Sequence, residues 1–212
     1  GIPHEFGSTG FGVAHATVVA LELINMNIKK TTVAIEGLGN VGEFTFRYLH
    51  QMGAKIVAAT AKDGGVYDKD GLREREIFHL KHNGEPLTKY KGGKKIKNGD
   101  IFGLPADVLI PAAVSDTINE NNKNAIKAKI IVEGANIPMS EKIEEELFKK
   151  GVLIVPDIIA NAGGVISSYA EYRGYNPRRM FDMVKRKIEN SARMVLEKSL
   201  KENKSPRSIA ME

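Results

Sequence analysis

The sequence of 212 residues contains no cysteine. That absence excludes disulfides, a thiol nucleophile and any cysteine-ligated metal site. Long apolar runs are missing as well. The longest, from Val13 to Ile24, is interrupted by His15, Thr17 and Glu22 and falls short of the ~20 apolar residues that span a bilayer. There is no basic start followed by an apolar centre and a small-residue cleavage site, the pattern of a secretory signal. The expectation is a cytoplasmic protein without membrane partners. The sequence also has no internal repeat and no low-complexity segment. It opens on Gly1, and Gly1-Ile2-Pro3-His4 reads as a loop leading into a helix, so an upstream segment is expected.

A hydrophobic content of 42% is enough for the core of one ordinary domain. The net charge is +5, which suits nucleic acid or a phosphate-bearing small molecule equally. The densest basic stretch, Lys89, Lys91, Lys94, Lys95 and Lys97, is spaced by Gly92, Gly93 and Gly99. Few aromatics interleave with these lysines, so it reads as a solvated loop and nucleic acid is not an expected partner.

Periodicity organises the rest. Phe11 to Asn27 is apolar on nearly all sides and predicts a buried helix. Thr32-Val33-Ala34-Ile35 reads as a strand covered on both faces. A glycine-rich turn follows, then a helix from about Val41 to Met52 with Phe44, Tyr48 and Leu49 inward, and a second strand at Lys55 to Ala59. Further strands are expected at Asp107 to Ile110, Lys129 to Glu133 and Val152 to Val155. Helices are expected between them, at about Asp116 to Lys127 and at Glu141 to Lys150 with Ser140 as cap. Ile158 to Tyr172 reads as helical with a break at Gly163-Gly164. Asn176-Pro177 starts a long helix to about Glu202, whose stripe of Met180, Val184, Ile188 and Val195 needs a cover. Alternating strands and helices imply a parallel sheet.

Gly37-Leu38-Gly39-Asn40-Val41-Gly42 fits the spacing G-x-G-x-x-G, with a strand before it, a helix after it and a second strand at the right distance. In that setting the first glycine makes the tight turn, the second admits a pyrophosphate close to the backbone, and the third lets helix and strand pack closely. The free N–H groups of the helix N-terminus complete an anion site with Asn40 and Val41. The expected fold is α/β: a Rossmann-type, mostly parallel sheet with helices on both faces, plus flanking N- and C-terminal helices. The sheet core would run from about 31 to 157, with a helical lead-in at 1–30 and C-terminal helices at 158–212.

Dinucleotide sites that take NAD carry an acid at the end of the second strand. Ala61 and Lys62 stand there instead, with Asp63 just beyond and able to bend back. A missing acid removes repulsion against a 2′-phosphate and Lys62 can pair with one, which tilts the expectation between NADP and NAD towards NADP or dual use. The alternative is a lysine that only points into water. Three other segments sit at strand C-termini, where ligands bind such sheets: Pro111-Ala112-Ala113, Glu133-Gly134-Ala135-Asn136, and Pro156-Asp157 through Asn161-Ala162-Gly163-Gly164. Small residues there admit a flat ring, and asparagine amides can hydrogen-bond a carboxamide or a ribose. The same residues are also ordinary turn formers.

Taken in order, Val33 to Gly42, Asp63-Gly64-Gly65-Val66-Tyr67 with Asp70-Gly71-Leu72, Pro111-Ala112-Ala113, Val132 to Asn136, and Pro156 to Val165 with Ser168-Tyr169-Ala170-Glu171 resemble the glutamate/leucine/phenylalanine/valine dehydrogenase family, and its glutamate branch most closely. The resemblance implies that the chain is the cofactor domain of an enzyme that oxidatively deaminates L-glutamate to 2-oxoglutarate and ammonia, passing hydride to a nicotinamide. It implies that Thr9 contacts the nicotinamide amide, that Asn136 and Asn161 lie near the nicotinamide and its ribose, and that Ser168 helps to hold the substrate's side-chain carboxylate. The family's catalytic lysine and aspartate belong to an N-terminal domain with no counterpart here. No catalytic residue is therefore expected in this chain, which alone should bind cofactor without turnover, and a homo-oligomer is expected of the full-length protein. His4-Glu5-Phe6-Gly7 replaces the family's lead-in to the first helix, and Tyr172 stands where many members have tryptophan. A non-catalytic nucleotide-sensing module shares the binding expectation and is the alternative reading.

Overall fold

The computed structural model describes residues 7–212. The readings made for Gly1-Ile2-Pro3-His4 and for His4-Glu5-Phe6 lie outside them. Seven strands form one sheet in the order β4-β3-β2-β1-β5-β6-β7. They are β1 (Thr32–Glu36), β2 (Lys55–Ala61), β3 (Gly64–Tyr67), β4 (Lys94–Ile96), β5 (Val108–Pro111), β6 (Ile130–Val132) and β7 (Leu153–Val155). β2, β1, β5, β6 and β7 run parallel, while β3 and β4 extend one edge antiparallel. The helices are α1 (Ser8–Leu23), α2 (Asn40–Gln51), α3 (Glu74–His82), α4 (Glu141–Lys149), α5 (Asp157–Ala160), α6 (Gly163–Tyr172), α7 (Pro177–Glu202) and α8 (Pro206–Ala210). Among the described residues, no helix is long and apolar enough to cross a membrane.

The strands alternate between two cores, as a period of two requires. Val33, Ile35, Val108, Ile110, Ile130, Val132, Leu153 and Val155 join the cluster that includes α1, α2 and α7. Ala34, Leu109, Ile131 and Ile154 face the other way, against Ile101, Phe102, Ile118 and the α4 residues Ile143 and Leu147. In α2, Phe46 and Leu49 are fully buried, whereas Phe44 and Tyr48 are half-buried. The inward aromatic is thus Phe46, not Phe44.

The expected caps form. Ser140 accepts from the Ile143 amide, and Asn176 accepts from the Arg179 amide with Pro177 in the first turn. The helix expected at Asp116 to Lys127 does not form; only a short 3-10 turn, Lys123–Ala125, is present. Side chains there outcompete the helical ladder. The Asn122 Oδ1 accepts from the Asn119 amide at 2.9 Å, its Nδ2 donates to the Thr117 carbonyl at 2.8 Å, and Asp116 adopts φ +53°. The lysine-rich loop is also partly wrong, since Lys94–Ile96 is the edge strand β4. Exposed lysines on an outermost strand discourage pairing with another chain. The break near Gly163-Gly164 falls just before them, at Asn161-Ala162, and the two glycines begin α6.

The stripe on α7 finds its cover inside the chain, not on another domain. Met180, Val184, Ile188 and Val195 are all at most 4% exposed. They pack with the apolar α1, which offers a surface on every side. Phe11 meets Phe181 edge-on at 4.9 Å, and His15 Nδ1 pairs with Glu189 Oε1 at 2.7 Å. Burial lowers the His15 pKa, and the bond to Glu189 opposes that only in part.

Two substitutions test this packing. Ile188→Ala should cost about 2–5 kcal/mol in urea unfolding with an unchanged m-value. A loss below about 1 kcal/mol would show that the stripe is not packed. Gly42→Ala would place a Cβ 1.9 Å from the Gly37 carbonyl oxygen. It should lower the melting temperature by several degrees, and an unchanged melt would contradict the close approach of α2 to β1.

Candidate functional site

The strand order reverses between β1 and β5, and their C-terminal ends part there. In open α/β sheets this is where a crevice forms. The turn Gly37-Leu38-Gly39 leaves β1 on one side and Ala112-Ala113-Val114 leaves β5 on the other. Gly37 has φ +89°, and a Cβ on it would lie 2.5 Å from that of Ala113, so the turn admits only glycine. The Gly37 amide donates to Thr60 Oγ1 at 3.0 Å and the Leu38 amide to the Thr60 carbonyl at 2.8 Å. These bonds pin the turn to β2. Gly39 then starts α2 with no side chain capping the helix. A Cβ built on Gly39 meets nothing within 4 Å, so its backbone faces open cleft.

Two depressions of about 560 Å³ each meet at Ala112, Ala113 and Val114. Thr9, Val41, Asn136, Asn161 and Ser168 line the first, and Gly37, Gly39, Ala61 and Lys62 line the second. Of the residues given a cofactor or substrate role from the sequence, all but two therefore lie on one continuous crevice. The exceptions are Asn40, which is exposed at the start of α2, and Gly42, which packs beneath the turn. Asp63 does not bend back to this crevice. Lys62 and Asp63 form the turn between β2 and β3, and Asp63 lines a separate surface hollow beside Lys95 and Lys97.

In the first depression, Asn161 Nδ2 donates to Asn136 Oδ1 at 2.7 Å, tying the loop after β6 to the end of α5. Thr9 enters from the first turn of α1, which Ser8 fastens to α6 through a 3.0 Å bond to Ser167. Ser168 sits on the exposed face of α6, its hydroxyl donating to the Gly164 carbonyl at 3.1 Å. In the second depression, Lys62 is the one basic side chain among the described lining residues. Sequence reading missed the carboxylate opposite it. Glu36, the last residue of β1, lines the same wall and accepts from the Ala113 amide at 3.3 Å. Burial pushes its carboxyl above the ordinary range, and the bonds from Ala113 and Thr117 reverse that only in part. The available signal was an acid directly before Gly37 at the end of a buried strand. Among the described residues, no group of three or more His, Cys, Asp or Glu side chains is placed to hold a metal ion.

Residues 1–211 match the family model for glutamate/leucine/phenylalanine/valine dehydrogenases. The glutamate dehydrogenase of Aeropyrum pernix is 46% identical over 172 residues, which is 81% of this chain and 41% of that protein. The NADP-specific glutamate dehydrogenase of Saccharolobus shibatae is 40% identical over 179 residues, covering 81% of this chain and 42% of its own length. The chain thus spans about two fifths of these curated relatives. Among solved structures, glutamate dehydrogenase 2 of Plasmodium falciparum superposes with a TM-score of 0.85 at 23% identity, over 98% of this chain and 50% of the other. The L-tryptophan dehydrogenase of Nostoc punctiforme gives 0.78 at 24% identity, over 97% and 57%. At these identities the structures speak for the fold alone, and the sequence matches carry the assignment: the chain belongs to the glutamate/leucine/phenylalanine/valine dehydrogenase family.

Proposed function

We propose that this chain is the dinucleotide-binding domain of an NAD(P)-dependent glutamate dehydrogenase, with residues 31–157 as its core. The observation that carries the proposal is the continuous crevice at the strand-order switch, with a glycine turn at one end and an amide pair at the other. The residues fit a dinucleotide. Gly39 leaves room for a pyrophosphate, and the uncapped α2 offers N–H groups and partial positive charge to it. Ala112, Ala113 and Gly134 keep the walls low enough for planar groups, and Lys62 supplies a cation at the ribose end. Asn136 and Asn161, with Thr9, present hydrogen-bonding groups where the nicotinamide would lie. When bound, the nicotinamide accepts or donates a hydride. The chain's part is to hold its ring, shield it from water on one side and leave the other face open to substrate, with Ser168 near the substrate's carboxylate.

On this reading L-glutamate is deaminated to 2-oxoglutarate and ammonia by groups contributed from a catalytic domain outside this chain, and the full-length protein is a homo-oligomer. Relatives named NADP-specific or NADP(+)-dependent, from Saccharolobus shibatae and Pyrobaculum calidifontis, support NADP as the preferred cofactor. So does the pairing of Ala61 with Lys62 where an acid would repel a 2′-phosphate.

Titration of the chain with NADP and NAD should show binding of both, with NADP tighter. No binding of either at millimolar concentration would sink the proposal. Lys62→Ala should weaken NADP about tenfold, in line with the loss of a charge-assisted contact, and leave NAD within about twofold. Equal loss for both would remove Lys62 from the 2′-phosphate role. Gly39→Val, whose Cβ would have no neighbour within 4 Å in the fold, should melt normally yet bind neither nucleotide.

A further inference from the structure

Three carboxylates converge on one guanidinium beneath the crevice. Arg207 of the short helix α8 donates through Nη2 to Glu133 Oε2 at 2.8 Å and to Asp157 Oδ1 at 2.9 Å, and through Nε to Glu144 Oε2. The three acids come from the end of β6, the start of α5 and the middle of α4. Glu133 and Glu144 are at most 1% exposed, and the Arg207 side chain is 12% exposed. Burial, together with the charge of Glu144, pushes the Glu133 carboxyl up to about 8. The second oxygens of Glu133 and Glu144 have no hydrogen-bond partner among the described residues. Such an arrangement is expensive as mere glue, since an apolar contact of similar volume would serve as well or better.

The cluster reaches the crevice through Asp157. The Asp157 amide donates to Glu133 Oε2 at 2.8 Å, and Asp157 Oδ2 accepts from the Ile137 amide at 2.8 Å. Ile137 has φ +45°, a region that a β-branched residue enters only when its surroundings hold it there. It directly follows Asn136. On the other side, the Asn161 amide donates to the Asp157 carbonyl at 3.0 Å across one turn of α5. Both halves of the Asn136–Asn161 pair therefore hang on Asp157: one through a strained backbone, the other through a helical turn. Arg207 holds Asp157.

We propose that Arg207 is a positioning residue, through which α8 sets the Asn136–Asn161 pair for the nicotinamide end of the crevice. The proposal rests on the dinucleotide reading and adds a functional coupling between the C-terminal helix and one end of the ligand only. It separates the two halves of the cofactor: the adenosine half, lying over Gly37 to Lys62, should be indifferent to Arg207.

The test uses the chain with Arg207→Lys, which keeps the charge but loses the fork, and Arg207→Met, which loses both. Each is titrated with NADP and with 2′-phospho-ADP-ribose, which lacks the nicotinamide. The exchange rate of the Ile137 amide is measured by NMR. Arg207→Lys is expected to melt as a folded protein, to bind NADP about tenfold more weakly, to bind 2′-phospho-ADP-ribose within twofold of wild type, and to exchange the Ile137 amide at least tenfold faster. Arg207→Met should show the same pattern more strongly where it folds. Equal losses for the two ligands, or unchanged NADP affinity and Ile137 exchange in Arg207→Lys, would overturn the positioning role while leaving the dinucleotide reading intact. A wild-type chain that binds neither ligand would overturn both.

Discussion

Parallel strands cannot be joined by tight turns; each crossover must travel over a face of the sheet. That constraint shapes everything at the crevice. β1 lies at the centre, with β2 on one side and β5 on the other, so the segments leaving β1 and β5 diverge from adjacent strand ends. The gap between them is a product of connectivity, and no side chain has to be carved away to make it. What the sequence adds is smallness. Gly37, Gly39, Ala112, Ala113 and Gly134 keep the opening clear, while the Thr60 hydroxyl and carbonyl tie down the one turn that has no structure of its own.

Charge in the crevice is sparse and asymmetric. Lys62 stands in solvent at one end, and Glu36 lies in the wall, where burial favours its neutral form. The larger reserve of charge, around Arg207, is set below the surface and is linked to the loop bearing Asn136 through backbone amides. Among the described residues, Lys62 and Glu36 are the two ionisable side chains that line the second depression.

Much of this was legible in the amino-acid order, for identifiable reasons. The five parallel strands are short β-branched runs buried on both faces, and such runs are hard to mistake when turns flank them. Ser140 and Asn176 mark helix starts because a side-chain oxygen before an apolar-periodic segment has one obvious partner. The crevice residues stood out because small residues and amides recur after strand ends. What stayed hidden had no periodic signal. β3 opens on two glycines and β4 on two lysines, so neither looks like a strand until antiparallel pairing adds it to the sheet. Asp116 to Lys127 has helical composition in part, but its asparagines bind their own backbone. Arg207 was invisible because its partners are distant in sequence, and distance in sequence is the one thing local pattern cannot bridge.

The packing of α7 on α1 has a consequence for how the protein is made. His15 and Glu189 are separated by 174 positions, and α1 is apolar on almost every side. At about 5–20 residues per second, a nascent chain carries that helix for roughly nine to thirty-five seconds before its partner has been synthesised. The sheet can form in the interval, but the flank of α1 that α7 covers stays bare until α7 has been made. An apolar helix is thus made well before the element that shelters it, so its exposed flank is a property of the growing chain that the finished fold no longer shows.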